Sequence, residues 1–415
     1  MPIRTPRKAS THSLQLKRAI LAVFTPTGST AGRLSEFSEA DWTAMLWWLD
    51  VSGMALYFFE EIRRQNLSQY IPRFVVTELE LRLERNRERT MGLLRDALFL
   101  ARCFDTAGVP YALLKGISLV PDSVPDAGLR CQADLDFLVM RGGLRKARQT
   151  VGRLGYSLHG DTGNTLEFRG VRTGKPGMTL MYSVHCQRAL ELHVDDDHSE
   201  LLARRCTREF AGERLAVLSP PDILVQQALH LLKHLCGEHT RLSWVLEFQR
   251  HVEARRADSA FWNAAEQIAA QTRNGDVAMG IAMWLAEANF GLENVDIPKQ
   301  WRIDRLPERV LLWLNLYAGE LLLSDSVGSK LYALLRKEIP SRPGEHRSMR
   351  DILVPSRLPA PITNPLPQEQ LRERAARYLI EMRHFRSRLR FHVVEGVRFA
   401  IEAPRWRREV AKCER

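Results

Sequence analysis

The sequence predicts an α+β protein in which a small mixed-sheet core is flanked by N-terminal and C-terminal helical regions. Apolar residues recur at helical spacing before residue 107 and again after residue 219, whereas short apolar runs separated by Gly- and Pro-containing turns lie between them. The 415 residues are 45% hydrophobic and 26% charged, as in ordinary globular proteins, which excludes wholesale disorder and collagen. At about 100–200 residues per domain, the length allows about two to four domains.

The first region, residues 1–95, is predicted to be helical. One apolar-periodic run covers residues 42–62, and a second crosses into the core at residues 93–104. The longest apolar stretch, residues 43–59, contains Asp50 and is short for a bilayer span. We therefore expect a buried helix there, with a re-entrant membrane segment as the alternative.

The second region, residues 96–218, is predicted to hold the sheet. An amphipathic helix at residues 144–154 interrupts its short apolar runs. The strand candidates are residues 109–114, 135–140, 165–169, 179–185 and 189–194. This mixture indicates a small α/β unit with a mixed sheet.

The third region, residues 219–339, is predicted to be a helical domain. It begins at Pro220-Pro221-Asp222, a sequence typical of a first helical turn. Seven prolines between residues 340 and 367 predict a linker or an extended segment that wraps around the protein. Residues 368–415 are predicted to form a basic amphipathic helical tail, broken near Pro404.

The net charge of +11 lies at the two ends of the chain. Residues 1–20 hold five basic residues and no acidic one, and residues 369–415 hold 13 basic and 7 acidic residues, so residues 21–368 are neutral overall. A polyanion-binding protein would more often spread its charge along a groove. We therefore expect solvated basic ends, with at most weak contact of the tail with a membrane or polyanion, and no specific nucleic-acid partner.

The cysteines and the N-terminus favour a cytoplasmic location. The six cysteines lie far apart and form no Cys-x-x-Cys pair, so neither a zinc site nor a disulfide framework is predicted. The N-terminal apolar run, residues 19–24, is too short for a secretion signal.

Three segments of the predicted sheet carry residues suited to phosphate and metal chemistry. The first is Lys115-Gly116, where a strand ends and a helix is expected to begin. Backbone N–H groups, the Lys115 ammonium and the Ser118 hydroxyl would meet a phosphate there. Such a turn is more often structural when it stands alone.

The other two segments carry carboxylates. Asp134 and Asp136 open a strand, and a period of two places them on the same face. They would repel each other unless a cation such as Mg²⁺ lay between them; the alternative is a solvent-facing acidic pair. Glu191 lies between leucines in a later strand, where an inward carboxylate also requires a cationic partner.

The order of these segments resembles the polymerase-β-like nucleotidyltransferase superfamily. More closely, the chain is similar to the bacterial family of uncharacterised nucleotidyltransferases, over roughly residues 40–290. The matching segments are Leu114-Lys115-Gly116, Gly128-Leu129-Arg130, Asp134-Leu135-Asp136-Phe137-Leu138-Val139, Gly155-Tyr156 and Glu191-Leu192-His193. Two departures are a Lys-Gly pair where the superfamily usually has Gly-Ser, and a third carboxylate that is Glu rather than the commoner Asp.

The resemblance implies a transferase that moves a nucleoside monophosphate from an NTP to a hydroxyl of a small molecule or protein, with release of pyrophosphate. Two Mg²⁺ ions, with Mn²⁺ as a substitute, would be held by Asp134, Asp136 and Glu191. Glu191 would also take up the hydroxyl proton. The three carboxylates are therefore both the catalytic and the metal-binding candidates.

The resemblance also implies roles for neighbouring residues. Lys115, Gly116 and Ser118 would surround the leaving phosphates. Arg130 would either clamp the triphosphate or pin the catalytic strand through a carboxylate. His193 is expected to fix strand geometry by a hydrogen bond rather than to bind metal.

Further candidates lie in the helical region. His230 and His234 are four residues apart and share a helix face, with His239 and Arg241 in the following turn. We interpret His234 and Arg241 as nucleotide contacts across the cleft; the alternative is one core histidine and several exposed ones. The acidic run at residues 195–198 is interpreted as a solvated turn rather than a second metal site.

A different class of function is a non-enzymatic helical adaptor whose basic ends bind nucleic acid or an anionic membrane. Arginines are interleaved with phenylalanines and a leucine between residues 383 and 399, as in an interfacial helix or a phosphate-binding surface. This alternative leaves the three aligned carboxylates unexplained.

Overall fold

The computed structural model describes residues 11–25, 30–170, 188–195, 199–237, 240–292, 298–325, 328–340, 353 and 370–413. The strand predicted at 179–185, the acidic residues 196–198, His239 and nearly all of the proline-rich segment lie outside these residues. Within them, the predicted α+β class is confirmed, because one mixed sheet is combined with helices from both ends of the chain.

Seven strands form the sheet in the described part of the chain. They are β1 (Tyr111–Leu114), β2 (Asp134–Met140), β3 (Tyr156–Asp161), β4 (Thr165–Gly170), β5 (Arg188–Asp195), β6 (Cys206–Phe210) and β7 (Glu213–Val217). Their order across the sheet is β3-β4-β5-β2-β1-β7-β6. The pairs β2/β5 and β1/β7 are parallel, and the other four neighbouring pairs are antiparallel.

The α-helices lie before, within and after the sheet. They are α1 (Thr11–Leu21), α2 (Thr30–Ser35), α3 (Glu39–Ser52), α4 (Ala55–Arg64), α5 (Arg73–Thr106), α6 (Leu144–Arg153), α7 (Ser199–Ala203), α8 (Pro220–Cys236), α9 (Leu242–Ala254), α10 (Ser259–Gln271), α11 (Gly275–Phe290), α12 (Glu308–Trp313), α13 (Gly319–Leu322), α14 (Tyr332–Glu338) and α15 (Leu371–Cys413). A π-helical turn, Leu314–Ala318, joins α12 to α13.

The sequence pattern does not predict β3, β6 or β7. In β6, exposed Thr207 and Glu209 alternate with buried or partly buried residues, so the strand lacks a continuous apolar run. The β6–β7 hairpin turns at Ala211 and Gly212, which have φ of 52° and 80°. An alanine in this left-handed region is uncommon and gives little sequence signal.

The apolar stretch at residues 43–59 forms two helices rather than one. Gly53, with φ of 77°, separates α3 from α4. Trp48 and Phe58 are fully buried on either side of it. In the described part of the chain, no helix is both long and apolar enough to cross a membrane.

One face of the sheet is apolar, and the opposite face carries the predicted site residues. Leu135, Phe137, Leu190 and Leu192 point to the apolar face and pack with the last part of α5 and with α6. Phe137 meets Phe104 of α5 edge-on, with ring centroids 5.4 Å apart. Such an aromatic pair stabilises the fold by about 0.5–1.5 kcal/mol beyond area burial.

Helix α5 connects the sheet to the helical part of the protein. Val75 and Leu79 in its first part pack into the large helical core, while Leu98 and Phe104 in its last part cover the sheet. The domain boundary predicted at residue 95 therefore falls within one continuous helix.

Helix α15 passes through Pro404, where the sequence predicted a break. Pro404 lies on the exposed side of the helix, where water can hydrate the carbonyl that loses its N–H partner. Phe399, Ala403 and Trp406 are buried, and the Trp406 ring lies 6.3 Å from that of Tyr317. The second half of α15 is therefore part of the helical core.

Candidate active site

The parallel pairing of β2 with β5 brings two predicted carboxylates together. Asp136 lies opposite Glu191 in the register, and His193 lies two residues further along on the same face. One ligand atom of each of these three side chains lies within 4.8 Å of those of the other two. Among the described residues, no other group of three His, Cys, Asp or Glu side chains converges in this way.

Asp134 shares this face but stands outside the three-residue group. Burial, together with repulsion by Asp136 and Glu191, raises the pKa of Asp134 to about 6. A nearby cation would favour its ionised form. The three predicted carboxylates therefore lie on one face, and the structure adds His193 to them.

Asp136 is the most buried carboxylate of the site, at 2% exposure. Its Oδ1 accepts hydrogen bonds from Nε2 of His193 at 2.7 Å and from Nζ of Lys115 at 2.9 Å. Burial opposes ionisation, but the His193 hydrogen bond and the Lys115 charge hold the pKa of Asp136 below its usual range. Asp136 is therefore an anion at neutral pH.

His193 connects three strands. Its Nε2 lies 2.7 Å from Asp136 Oδ1 and 3.3 Å from Glu191 Oε2, and its Nδ1 lies 3.4 Å from Thr165 Oγ1 on β4. Burial alone would lower the pKa of His193, but its hydrogen bonds to the two carboxylates raise it. The hydrogen bond expected from the sequence is present, and the same ring nitrogen lies among the candidate metal donors.

The Lys115-Gly116 turn holds the start of β2. The two residues have φ of 51° and 50°, a region that favours glycine. A Cβ on Gly116 would lie 2.1 Å from Oε1 of Gln132, so glycine leaves room for that carboxamide. The carboxamide donates from Nε2 to the backbone carbonyl of Asp134 at 2.5 Å. Lys115 adopts this conformation without being glycine, and such strain is concentrated at functional sites.

The helix expected after this turn is a four-residue 3₁₀ turn, Gly116–Leu119. Pro121 follows and cannot continue a helix because it has no N–H group. So short a turn has little helix dipole, so the phosphate contacts expected here would come from the Lys115 ammonium and from single N–H groups. The Ser118 hydroxyl donates to the Lys115 carbonyl at 2.8 Å and thus stabilises the turn itself.

Two arginines that lie far along the chain hold the segment that follows this turn. Arg208 of β6 donates to the carbonyls of Ser118, at 3.0 Å, and Val120, and pairs with Asp122 at 3.1 Å. Arg255, directly after α9, also pairs with Asp122 at 3.1 Å. Sequence reasoning missed these supports, because the partners lie 86 and 133 residues apart and spacing gives no signal.

Arg130 is held by a carboxylate on helix α9. Its Nε donates to both oxygens of Glu247 on α9, at 3.1 Å each, and the Tyr57 hydroxyl donates to Oε1 of Glu247 at 2.8 Å. Asn86 of α5 donates to the carbonyls of Arg130 and Gly128 at 3.0 and 2.6 Å. Of the two roles expected for Arg130, the structure shows the pinning contact.

A cavity of about 240 Å³ lies between the site face of the sheet and helices α8 and α9. Its lining combines charged and polar side chains with apolar ones. The charged and polar lining residues are Lys115, Ser118, Arg130, His193, Gln226, Gln227, His230, Lys233 and Glu247. The cavity therefore adjoins the candidate metal donors through His193 and Lys115.

The helical wall of the cavity is aromatic. The ring centroids of His230 and His234 are 4.3 Å apart and lie 4.7 and 4.6 Å from that of Trp244. Burial and neighbouring positive groups lower the pKa of His230 to about 2, so this histidine is neutral. His230 and Trp244 line the cavity, whereas His234 and Arg241, the predicted contacts, do not. The guanidinium of Arg241 lies 5.9 Å from the Trp244 ring.

The fold and site define a mixed-sheet protein with carboxylates on two adjacent parallel strands beside a lysine-glycine turn. The chain belongs to the family of uncharacterised nucleotidyltransferases, whose family model matches residues 38–291. The resemblance predicted from the motifs is therefore confirmed. Membership implies an NTP substrate and transfer of its nucleotidyl group.

Other comparisons add little. An antigenic nucleotidyltransferase-like protein from Paracoccidioides brasiliensis, known from a crystal structure, is 14% identical to this chain; the match covers 47% of this chain and 95% of that protein. The TM-score of 0.28 is too low to support an argument. No curated protein matches the chain.

Proposed function

We propose that the protein is a Mg²⁺-dependent nucleotidyltransferase that moves a nucleoside monophosphate from an NTP to a hydroxyl of a small molecule or a protein, with release of pyrophosphate. The observation that carries this proposal is the convergence of Asp136, Glu191 and His193 beside a cavity lined by Lys115 and Arg130. Family membership supports the general reaction and the NTP. The metal and the acceptor are our proposal, as is a cytoplasmic location.

The donor set fits a divalent cation. Two carboxylates and one imidazole nitrogen have ligand atoms within 4.8 Å of one another. Mg²⁺ prefers oxygen ligands and Mn²⁺ accepts both oxygen and nitrogen, so Mn²⁺ is the alternative ion. A second ion would draw on Asp134, which shares the face. When bound, such ions would activate the attacking hydroxyl and neutralise the triphosphate charge.

Glu191 is our candidate for the general base. Its side chain is 29% exposed, so an acceptor hydroxyl can reach it. The hydroxyl oxygen would bond to the α-phosphorus while its proton moves to the Glu191 carboxylate. The bond from the α-phosphorus to the bridging oxygen would break, and pyrophosphate would leave.

Lys115 would bind the leaving phosphates. Its side chain is 32% exposed and lines the cavity, so the ammonium can exchange its contact with Asp136 for a phosphate. Trp244 and the neutral His230 would contact the nucleoside, and His234 and Arg241 would hold the Trp244 ring in place through their contacts with it. Arg130 would hold the loop before β2 against α9.

The test is incubation of the full chain with each α-³²P-labelled NTP, Mg²⁺ or Mn²⁺, and a cell lysate, followed by separation of labelled products. We expect one NTP to label an acceptor and to release pyrophosphate. Asp136→Asn should abolish labelling, and Glu191→Gln should spare NTP binding but lower turnover by about 10²–10⁴-fold. Glu213→Gln, which changes an exposed acid on β7, is the control. Equal labelling by Asp136→Asn and the wild type would contradict the proposal.

A further inference from the structure

We propose that the first half of helix α15 is an interfacial segment that binds an anionic lipid surface. This segment leaves a row of large apolar side chains in solvent. Tyr378, Met382, Phe385 and Leu389 are 57%, 48%, 42% and 54% exposed. Their spacing of four, three and four residues places them on one face of the helix.

This apolar row points away from the other described parts of the protein. Ile380, His384, Ser387 and Phe391 are partly buried, and the helical repeat places them about half a turn from the row. Further along the same helix, buried Trp406 anchors α15 in the helical core. The exposed row is thus presented by a helix that is fixed at its other end.

Arginines flank the row on both sides. Residues 371–391 hold seven arginines and two glutamates. At 100° per residue, Arg386 and Arg390 lie on one side of the row, and Arg374 and Arg388 lie on the other. At a bilayer surface, the apolar side chains would enter the boundary of the acyl chains while the guanidinium groups meet lipid phosphates.

The charge pattern favours a lipid surface over other occupants. A second copy would bring two arginine-flanked rows together, and like charges would repel. A nucleic acid would satisfy the arginines but leave the row of apolar side chains in water. An anionic bilayer can bind the arginines through its lipid phosphates and bury the apolar row at the boundary of its acyl chains. The segment lies outside residues 38–291, so the proposal is independent of the catalytic site.

The test is flotation of the full chain with vesicles of phosphatidylcholine alone and with vesicles that also contain phosphatidylglycerol. We expect binding only to the anionic vesicles, weakened by added salt. Phe385→Glu should reduce binding by about 10-fold or more, because it removes one buried aromatic side chain from the interface. Arg383→Gln/Arg386→Gln/Arg390→Gln should reduce it by about 100-fold.

The matched control is Phe99→Glu, which changes a phenylalanine on α5 that is 49% exposed. This variant should bind anionic vesicles like the wild type, and circular dichroism should show that both phenylalanine variants remain folded. Three results would overturn the proposal. They are no binding to anionic vesicles, equal binding by Phe385→Glu and wild type, and a dimer in vesicle-free solution that Phe385→Glu dissociates.

Discussion

The Lys115 ammonium donates to Oδ1 of Asp136 at 2.9 Å, and the same oxygen accepts a hydrogen bond from His193 at 2.7 Å. Two donors on one carboxylate oxygen compete with any cation for that oxygen. Lys115 is also a cavity-lining residue and the proposed ligand of the leaving phosphates. Removal of the Lys115 ammonium should therefore change the affinity for metal and the affinity for nucleotide in opposite directions.

Lys115→Met should raise the affinity for Mn²⁺ and lower the affinity for NTP. Without the ammonium, Asp136 is more available to a cation, so Mn²⁺ should bind more tightly when nucleotide is absent. NTP binding in the presence of metal should weaken by about 10- to 150-fold, the equivalent of a charged hydrogen bond of about 1.5–3 kcal/mol. Calorimetry with each ligand on the same protein measures both effects.

The control for this variant is Lys146→Met, which removes an exposed lysine from α6. It should change neither affinity. If Lys115→Met instead weakened Mn²⁺ and NTP binding together, Lys115 would be a structural part of the turn rather than a competitor of the metal.

His193→Gln should separate a metal-binding role from a hydrogen-bonding role. Glutamine can still donate to Asp136, but it lacks the imidazole nitrogen that suits Mn²⁺. We expect Mn²⁺ affinity to fall by at least about 10-fold, with a smaller loss for Mg²⁺, as measured by electron paramagnetic resonance and by calorimetry. Unchanged Mn²⁺ affinity would show that His193 does not bind the metal and has only the hydrogen-bonding role that the sequence predicted.

The common face of the carboxylates could be predicted because strand periodicity determines it. In β5, Leu190 and Leu192 alternate with Glu191 and His193, and the apolar face must be buried. A shift of one residue would turn both leucines toward the cavity. The local alternation in β5 is therefore sufficient to assign Glu191 and His193 to the face opposite the apolar one, without any long-range contact.

Other contacts could not be predicted because they depend on long-range packing. Arg130 and Glu247 are 117 residues apart, and nothing in their local sequence pairs them. Helical spacing correctly predicts that His230 and His234 are neighbours, but it does not tell which of them turns toward the cavity. That direction depends on how α8 packs against α9, where Trp244 contacts both rings.

The Arg130–Glu247 pair should stabilise the contact between the sheet and α9. Its side chains are only 14% and 3% exposed. Glu247→Gln leaves the Arg130 charge without its carboxylate and should lower the free energy of unfolding by about 3–5 kcal/mol. Arg130→Met/Glu247→Met should cost less than the sum of the two single methionine substitutions, since neither charge is then left alone. Urea unfolding of the wild type, the two single methionine variants and the double variant gives the coupling energy.

The comparison pair is Arg102–Glu213, whose side chains are 61% and 45% exposed and whose closest atoms are 3.2 Å apart. Glu213→Gln should change stability by less than about 1 kcal/mol. Additive effects at Arg130 and Glu247 would show that the two residues do not act as a pair.

His251 should make the protein less stable as the pH falls below 7. The side chain is fully buried, and its Nδ1 donates to Gln227 Oε1 at 2.9 Å. Burial lowers the pKa of His251 to about 3; Asp122 opposes this shift, and Arg208 and Arg255 add to it. The unfolded chain, with a histidine pKa of about 6.5, therefore binds a proton that the folded protein does not bind between about pH 6.5 and 3. This contribution to stability is present above pH 6.5 and decreases as the pH falls, by about 2 kcal/mol between pH 7 and 5.

The test of this linkage is His251→Gln, which keeps a polar group that can bond to Gln227 but cannot titrate. Urea unfolding of this variant should show a smaller loss of stability over this pH range than in the wild type. His159→Gln, on the exposed side of β3, controls for loss of a surface imidazole. Parallel pH profiles for His251→Gln and the wild type would contradict this prediction, because they would show that folding does not change the pKa of His251.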